Sequence, residues 1–483
     1  MKPIAAAMML LALTTAGCMT LGPDYQRPKT MSATPQQYET SDSGIRPYMP
    51  NSRWWEEFDD QRLNHVVANV VAGNPDIQKA AASVMEARAV VGQTRADQYP
   101  SLDLNANASR QQQSIVDPLS GDNVTVKTDS FSLTLPASFE VDLWGRLARA
   151  TEGARADLLA ADENRRTIIQ SLIAEAVTQY FNIQSLKEQL RITRELTETY
   201  NQNLELVEAR YRRGLTSVLD VQQARRSLAQ SEAEIPPLVQ AIGKARQAIS
   251  VLQGRYPTSS GQTSEAAEFK LPPPIPAGLP SNLLNRRPDI LSAEAALKAA
   301  SARIGVAKAN RFPQINLTAS FGYTSNELNA LFEPESELWK IASGLFQPAF
   351  DAGKRKSAQK AAEARYQRQL AVYGKTVLNA FAEVEGALLT RKQQIERRSR
   401  LQVFVGEADA TLETALDRYQ RGLTDYLNVL DAQQASFQAE LSLVKAQYGI
   451  YTNRVALYRA LGGGWDNILE SVERAKETHN KEM

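Results

Sequence analysis

The strongest constraint on this chain is that it repeats itself. Residues 211–232 (YRRGLTSVLDVQQARRSLAQSE) align with 419–440 (YQRGLTDYLNVLDAQQASFQAE) at an offset of 208, with identity at ten of 22 positions. Average residue usage gives roughly one or two. A second pairing, at an offset of 213, sets Pro75-Asp76-Ile77 against Pro288-Asp289-Ile290, Gly92 against Gly305, and Tyr99-Pro100 against Phe312-Pro313. The chain therefore reads as two copies of one unit, 55–255 and 280–464, joined by a Pro-rich connector at 256–279 and followed by a polar tail at 465–483.

Both copies carry the same order of elements. A helix of about 35 residues ends at Tyr99 or Phe312, and two β segments follow with a loop between them. Then come a very long helix, a tight Arg-Gly-Leu-Thr turn and a return helix. The β segments alternate. Leu102, Leu104, Ala106 and Ala108 oppose Asp103, Asn105, Asn107 and Ser109. Phe131, Leu133, Leu135, Ala137 and Phe139 oppose Ser130, Ser132, Thr134 and Ser138. In the second copy Ile315, Leu317, Ala319, Phe321 and Tyr323 oppose Gln314, Asn316, Thr318 and Ser320, whereas the fourth segment, around Trp339 to Phe350, is blurred. This pattern fits a strand between lipid and water, and it also fits a half-buried soluble hairpin. Four strands cannot close a barrel, and lipid does not tolerate open edges. A membrane reading thus requires several chains to share one barrel. Pro136 inside a strand is a blemish that belongs near an end or a bulge.

The long helices are expected at Arg146–Arg212 and Lys354–Gln420, each spanning ~100 Å at 1.5 Å per residue. Their apolar residues step by threes and fours, as in Ile169, Ile173, Ala176, Tyr180, Ile183 and Val377, Phe381, Val384, Leu388. That spacing is a coiled-coil seam. Arg391 and Arg398 interrupt the second seam and suggest a local change of packing.

The first 17 residues form a signal peptide. Lys2 supplies charge, Ile4 to Leu13 is almost wholly apolar, and Thr15-Ala16-Gly17 places small residues before the lone cysteine, Cys18. This resembles a bacterial lipobox, which implies acylation of Cys18, palmitate included. Met19 in place of Asp favours sorting to the outer membrane. Residues 18–54 read as a lipid-anchored arm rich in Pro, Ser, Thr and Gln.

Composition narrows the function further. The 55 basic and 54 acidic residues balance to +1, which gives no electrostatic reason to expect nucleic acid. A single cysteine excludes an internal disulfide framework. His65 and His479 stand alone, so no zinc site or His-based catalytic machinery is expected; the chain reads as a non-enzyme with no cofactor. No apolar run of about 18 residues follows the leader, so no helical membrane span is expected.

Four local motifs accompany this order: Pro23-Asp24-Tyr25-Gln26-Arg27-Pro28, Phe139-Glu140-Val141-Asp142-Leu143-Trp144-Gly145-Arg146, Arg286-Arg287-Pro288-Asp289-Ile290 and Leu461-Gly462-Gly463-Gly464-Trp465. With the duplicated strand, long-helix and RGLT-turn order, they resemble the outer-membrane factor family, the TolC/OprM-like channels, over nearly the whole chain. Cys18 places it nearer the OprM-like lipoprotein branch.

The resemblance implies a mainly α fold with membrane β structure: a homotrimer with a twelve-stranded β-barrel on a long α-helical barrel that extends into the periplasm. It implies an efflux channel without specificity of its own, fed by a periplasmic adaptor (a membrane fusion protein) and an inner-membrane pump of the resistance-nodulation-division class. It assigns adaptor contact to the turns Arg213, Gly214, Leu215, Thr216 and Arg421, Gly422, Leu423, Thr424. It assigns a periplasmic gate to Leu427, Asn428, Asp431 and Gln434, with Asp431 expected beside Arg225 and Arg226 if the two turns pack together. Leu427, Asp431 and Gln434 share one helix face, and the first copy has Leu219, Gln223 and Arg226 there. The alternative reading is a non-conducting periplasmic coiled-coil scaffold lipoprotein, which leaves the alternating strands unexplained.

Overall fold

A computed structural model describes residues 20–28, 38–39, 53–116, 121–259 and 280–463. Cys18, the signal peptide, nearly all of the connector and the polar tail lie outside the described residues. In chain order the elements are α1 (Gln61–Gly73), α2 (Pro75–Ala96), β1 (Ser101–Leu102), β2 (Asn105–Val116), β3 (Asn123–Val141), α3 (Arg146–Arg212) and α4 (Val218–Leu252). The second half gives α5 (Pro280–Arg286), α6 (Pro288–Ala309), β4 (Gln314–Ser325), β5 (Glu337–Phe346), α7 (Lys354–Gln420) and α8 (Tyr426–Ala460). The long helices α3 and α7 are both 67 residues, and the return helices α4 and α8 are both 35.

The expected 35-residue helix before each first strand is two helices instead. Asn74 caps α2 with its side chain, accepting from the amides of Asp76 and Ile77 at 2.8 and 3.3 Å. Pro75 starts the new helix where its missing N–H costs nothing. Pro288 makes the same break between α5 and α6. The fourth strand ends at Phe346, short of Phe350, because Pro348 follows.

The chain folds into two compact units that cut across the repeats. The first is built from Ser83–Asp162 and Ser292–Tyr373 with the N-terminal residues up to Lys29. It holds one antiparallel ribbon: β1 and β2 both pair with β3, β3 with β4, and β4 with β5. The register runs Phe131 to Ser325 through Val141 to Ile315 between β3 and β4. β1 and β2 are one strand with a gap. Leu102 faces Ala137 and Asn105 faces Thr134, so the gap falls opposite Pro136. Pro136 has no N–H to give; only its carbonyl is used, accepting from Asp103 N at 3.0 Å.

The motifs noted in the sequence are the fastenings of this unit. Trp144 Nε1 donates to the Pro313 carbonyl at 2.7 Å and its ring lies 5.0 Å from Phe312. Arg146 forks onto Glu140 at 2.8 and 2.6 Å. Residues 20–28 run across the helices: Leu21 N donates to the Trp144 carbonyl, Asp24 pairs with the buried Arg149 at 2.6 Å, and Arg27 and Tyr25 both donate to Glu294. Gly22 and Gly305 meet backbone to backbone; a Cβ on Gly22 would lie 2.5 Å from Gly305 Cα.

The second unit comprises Thr30–Ala82, Glu163–Leu291 and the chain from Gly374 on. Its main core joins Leu63 and Val67 of α1, Ile169, Ile173 and Val177 of α3, Val384 of α7, and Val455 and Tyr458 of α8. A 3-10 turn at Trp54–Phe58 seals it, with Trp54 stacked on Tyr458 at 4.9 Å and Glu57 paired with Arg454 at 2.9 Å. Arg287 of the RRPDI motif reaches the Ala460 carbonyl at 3.0 Å and Glu383 at 2.8 Å.

Candidate functional site at the helix turns

The two RGLT turns are built alike. Each long helix ends in a Schellman motif: Gly214 N donates to Tyr211 O and Leu215 N to Arg210 O, and Gly422 N donates to Tyr419 O and Leu423 N to Arg418 O. The motif places its fifth residue in the left-handed region, and Gly214 and Gly422 sit there at φ 74° and 73°. This accounts for the glycine alone. Leu215 and Leu423, next in line, are 61% and 62% exposed.

The turns then diverge. Ser217 and Asp220 form a reciprocal capping box at the start of α4, and Thr216 also donates to Asp220. In the second repeat Asp425 caps without a side-chain bond, and Asn428 donates instead to Thr424 Oγ1 at 2.7 Å. Arg421 is tied to Asp417 one turn back at 2.9 Å. Arg213 has Ala209 at the matching position and makes no ion pair among the described residues.

The turns are brought together by a small apolar core of Val207, Val221, Ala224, Tyr419, Tyr426, Val429 and Leu430. Arg210 lies over the Tyr419 ring at 4.8 Å and donates to the Gln420 carbonyl at 3.2 Å. Burial drives the phenol of Tyr419 upward from its ordinary pKa, so it stays neutral. No pattern in the sequence pointed to Arg210 or Tyr426 as the link between the repeats.

The expected gate residues are found on one surface. Leu427 is 58% exposed, and Asp431 and Gln434 join it on the wall of a groove of about 460 Å³, with Arg226 on the α4 side. Asn428 is exposed but bound to its own turn. The expected pairing of Asp431 with Arg225 is not formed. Arg225 is held by Glu208 of α3 at 2.7 Å, because the antiparallel helix beside it offers a nearer carboxylate. Asp431 makes no hydrogen bond or ion pair among the described residues. The site therefore presents exposed leucines, a carboxylate and an arginine that make no ion pair among the described residues, side by side at the turn pair.

Among the described residues the chain thus presents an open antiparallel ribbon and two pairs of long helices that end in matched turns. The sequence profile of the outer membrane efflux proteins matches residues 66–255 and 279–463, and the chain belongs to that family. It is 34% identical over 470 residues to the cation efflux system protein CusC of Escherichia coli strain K12, covering 96% of this chain and all of CusC. A solved CusC structure superimposes with a TM-score of 0.80 at 33% identity over 92% of this chain and 100% of that one. The solvent efflux pump outer membrane protein SrpC of Pseudomonas putida is also 34% identical, over 95% of this chain and 98% of its own. The open state of the Neisseria gonorrhoeae MtrE outer membrane channel superimposes with a TM-score of 0.80 at 30% identity, covering 92% and 98%. The chain is an efflux channel of the outer membrane.

Proposed function

We propose that this chain is the passive outer-membrane duct of a tripartite pump, working as a homotrimer anchored by lipid on Cys18. The observation that carries the trimer is the open ribbon. β2 and β5 are edge strands, and each leaves a row of backbone donors and acceptors without a strand partner among the described residues. Lipid requires those groups to be satisfied, and further copies of the same ribbon supply them. Three ribbons make the twelve-stranded barrel. The scaffold alternative provides no reason for such a ribbon.

A periplasmic adaptor docks on the turns around Arg213, Leu215, Arg421 and Leu423, and an inner-membrane pump of the resistance-nodulation-division class delivers the cargo. Exposed leucines beside arginines are the chemistry of a protein contact. Leu427, Asn428, Asp431 and Gln434 form the periplasmic gate, where three uncommitted Asp431 carboxylates would face one another near the axis. Two relatives of equal identity are named for cations and for solvents. That spread supports a duct that takes its specificity from the pump.

The test is the mass of native detergent-solubilised particles together with conductance in planar bilayers. Trimers that conduct are expected; a folded monomer, or a trimer that never conducts, overturns the reading.

A further inference from the structure

A second groove lies away from the turns, in the first repeat. It is formed between α3 at Lys187–Glu195 and α4 at Val239–Gln247, and its volume is about 1160 Å³. Pro236 and Pro237 stand inside α4 just before it and remove two donors from that helix's hydrogen-bond ladder. Gly243 adds no side chain to the space. Leu190 and Ile242 form an apolar floor, and Val239, 48% exposed, extends it.

The charge around this floor is unbalanced. Five cations and two carboxylates line the groove. Both carboxylates are already used by one guanidinium: Arg191 holds Glu188 at 2.6 Å and Glu195 at 2.5 Å. Arg194 and Lys244 have no acidic partner among the described residues, and Arg246 reaches only the Ser259 carbonyl, at 3.2 Å. Burial, then the nearby Arg246 and Arg62, push the Lys187 ammonium below its ordinary pKa. Like charges gathered round an apolar floor raise one another's energy, and an anion relieves it.

The scaffold does not require this arrangement. At the offset of 208, Lys187, Arg191, Arg194 and Lys244 correspond to Ile395, Ser399, Gln402 and Thr452. Only Arg246 keeps its type, as Arg454, and that residue is committed to Glu57. The second repeat folds to helices of the same length without the cations.

We propose that the α3–α4 groove is a binding site for a small amphipathic organic anion, a carboxylate or sulfonate on an apolar body. The apolar body lies on Leu190, Ile242 and Val239, and the acid group is met by Arg194, Lys244 and Arg246. The volume suits a ligand of drug-like size. The groove shares no lining residue with the groove of Leu427 and Asp431.

The test uses the full-length protein held in amphipol, with 1-anilinonaphthalene-8-sulfonate as the fluorescent probe and cholate as the competing carboxylate. The wild type should bind the probe saturably, one per chain, more weakly as salt rises, and cholate should displace it. Arg194→Glu with Lys244→Glu should weaken binding at least ~10-fold, since each reversal places a like charge beside the anion. Val239→Asp should do the same from the apolar side. If the double reversal fails to assemble, Lys244→Gln, at an exposed position, should still weaken binding by roughly threefold. Conductance, read separately, should be that of the wild type in every variant, so failure here leaves the channel reading untouched. Unsaturable binding, binding indifferent to salt, or variants that bind like the wild type overturn the proposal. So does a short acidic helical peptide that displaces the probe at lower concentration than cholate, which makes the occupant a protein helix.

Discussion

Arg210 of the first repeat lies over the ring of Tyr419 in the second, 4.8 Å from its centroid, and this pair bridges the two turns. The guanidinium is held in place by the Gln420 carbonyl, so the cation cannot swing away without losing a hydrogen bond as well. Such a contact contributes about 0.5–2 kcal/mol. Arg210→Ala should leave the trimer assembled while loosening the turns. Single-channel recording should show more frequent or larger openings; unchanged recordings would mean that the apolar core alone holds the turns together.

The exposed Leu427 and Asp431 share one groove wall. Removing both, as Leu427→Ala with Asp431→Ala, should raise conductance and admit a large antibiotic normally excluded by the outer membrane. Each charge contact at such a surface contributes only ~0–1 kcal/mol, so the single Asp431→Ala change should have a smaller effect than the pair. A double variant that assembles normally and conducts like the wild type would place the constriction elsewhere.

Gly214 and Gly422 both adopt positive φ. Alanine at either should cost about 1–2 kcal/mol, because Cβ opposes the left-handed conformation while nothing else lies near it. Valine should cost more. Thermal unfolding of the purified trimer measures this, and an unchanged midpoint for Gly422→Val would show that the turn has another conformation open to it.

The carboxylate of Glu294 gathers Tyr25, Arg27 and Lys298. Glu294→Ala should loosen residues 25–28 from α6, with Gly22 still seated on Gly305, and costs roughly 1–3 kcal/mol as a lost charged hydrogen-bond set. Limited proteolysis near Arg27 should become faster, with acylation of Cys18, read from the mass of the mature N-terminal peptide, unaffected.

Glu440 is half-buried in α8, and desolvation, then the neighbouring Asp409, raise its pKa above the ordinary 4.5. A raised carboxylate pKa favours the protonated folded state, so its contribution is fully present at low pH and is lost as pH climbs from the ordinary glutamate range through the raised value. Glu440→Gln should therefore stabilise the protein at neutral pH and change little in acid. Unfolding midpoints of the two proteins across pH 4 to 8 (a range of about four units around the shift) should converge at the acid end; a constant gap would exclude titration of Glu440 as the cause.

The long helices were legible because threes-and-fours spacing over 67 residues leaves no other periodicity to fit. The breaks at Pro75 and Pro288 were not, although both prolines were in view as repeat markers. Their role depends on what precedes them: a side-chain cap in one case, an arginine locked to the end of α8 in the other. The turns were readable down to the glycine. The asymmetry between them was not, because identical residues meet different neighbours. Tyr211 is 46% exposed and its counterpart Tyr419 only 4%, since Tyr419 has Tyr426 beside it where the first repeat has Val218. Arg225 was assigned to the wrong carboxylate for the same reason: sequence separation says little about which acid lies across an antiparallel helix pair.

Pro136 fixes where the first strand must lapse. In the ladder Asp103 lies opposite it: the Asp103 amide reaches the Pro136 carbonyl, but no N–H comes back to the carbonyl of Asp103. Pairing is interrupted at Asp103–Leu104 and resumes at Asn105 without a shift of register. One missing hydrogen atom thus divides a long strand into a two-residue stub and a twelve-residue arm that still read as one line of side chains.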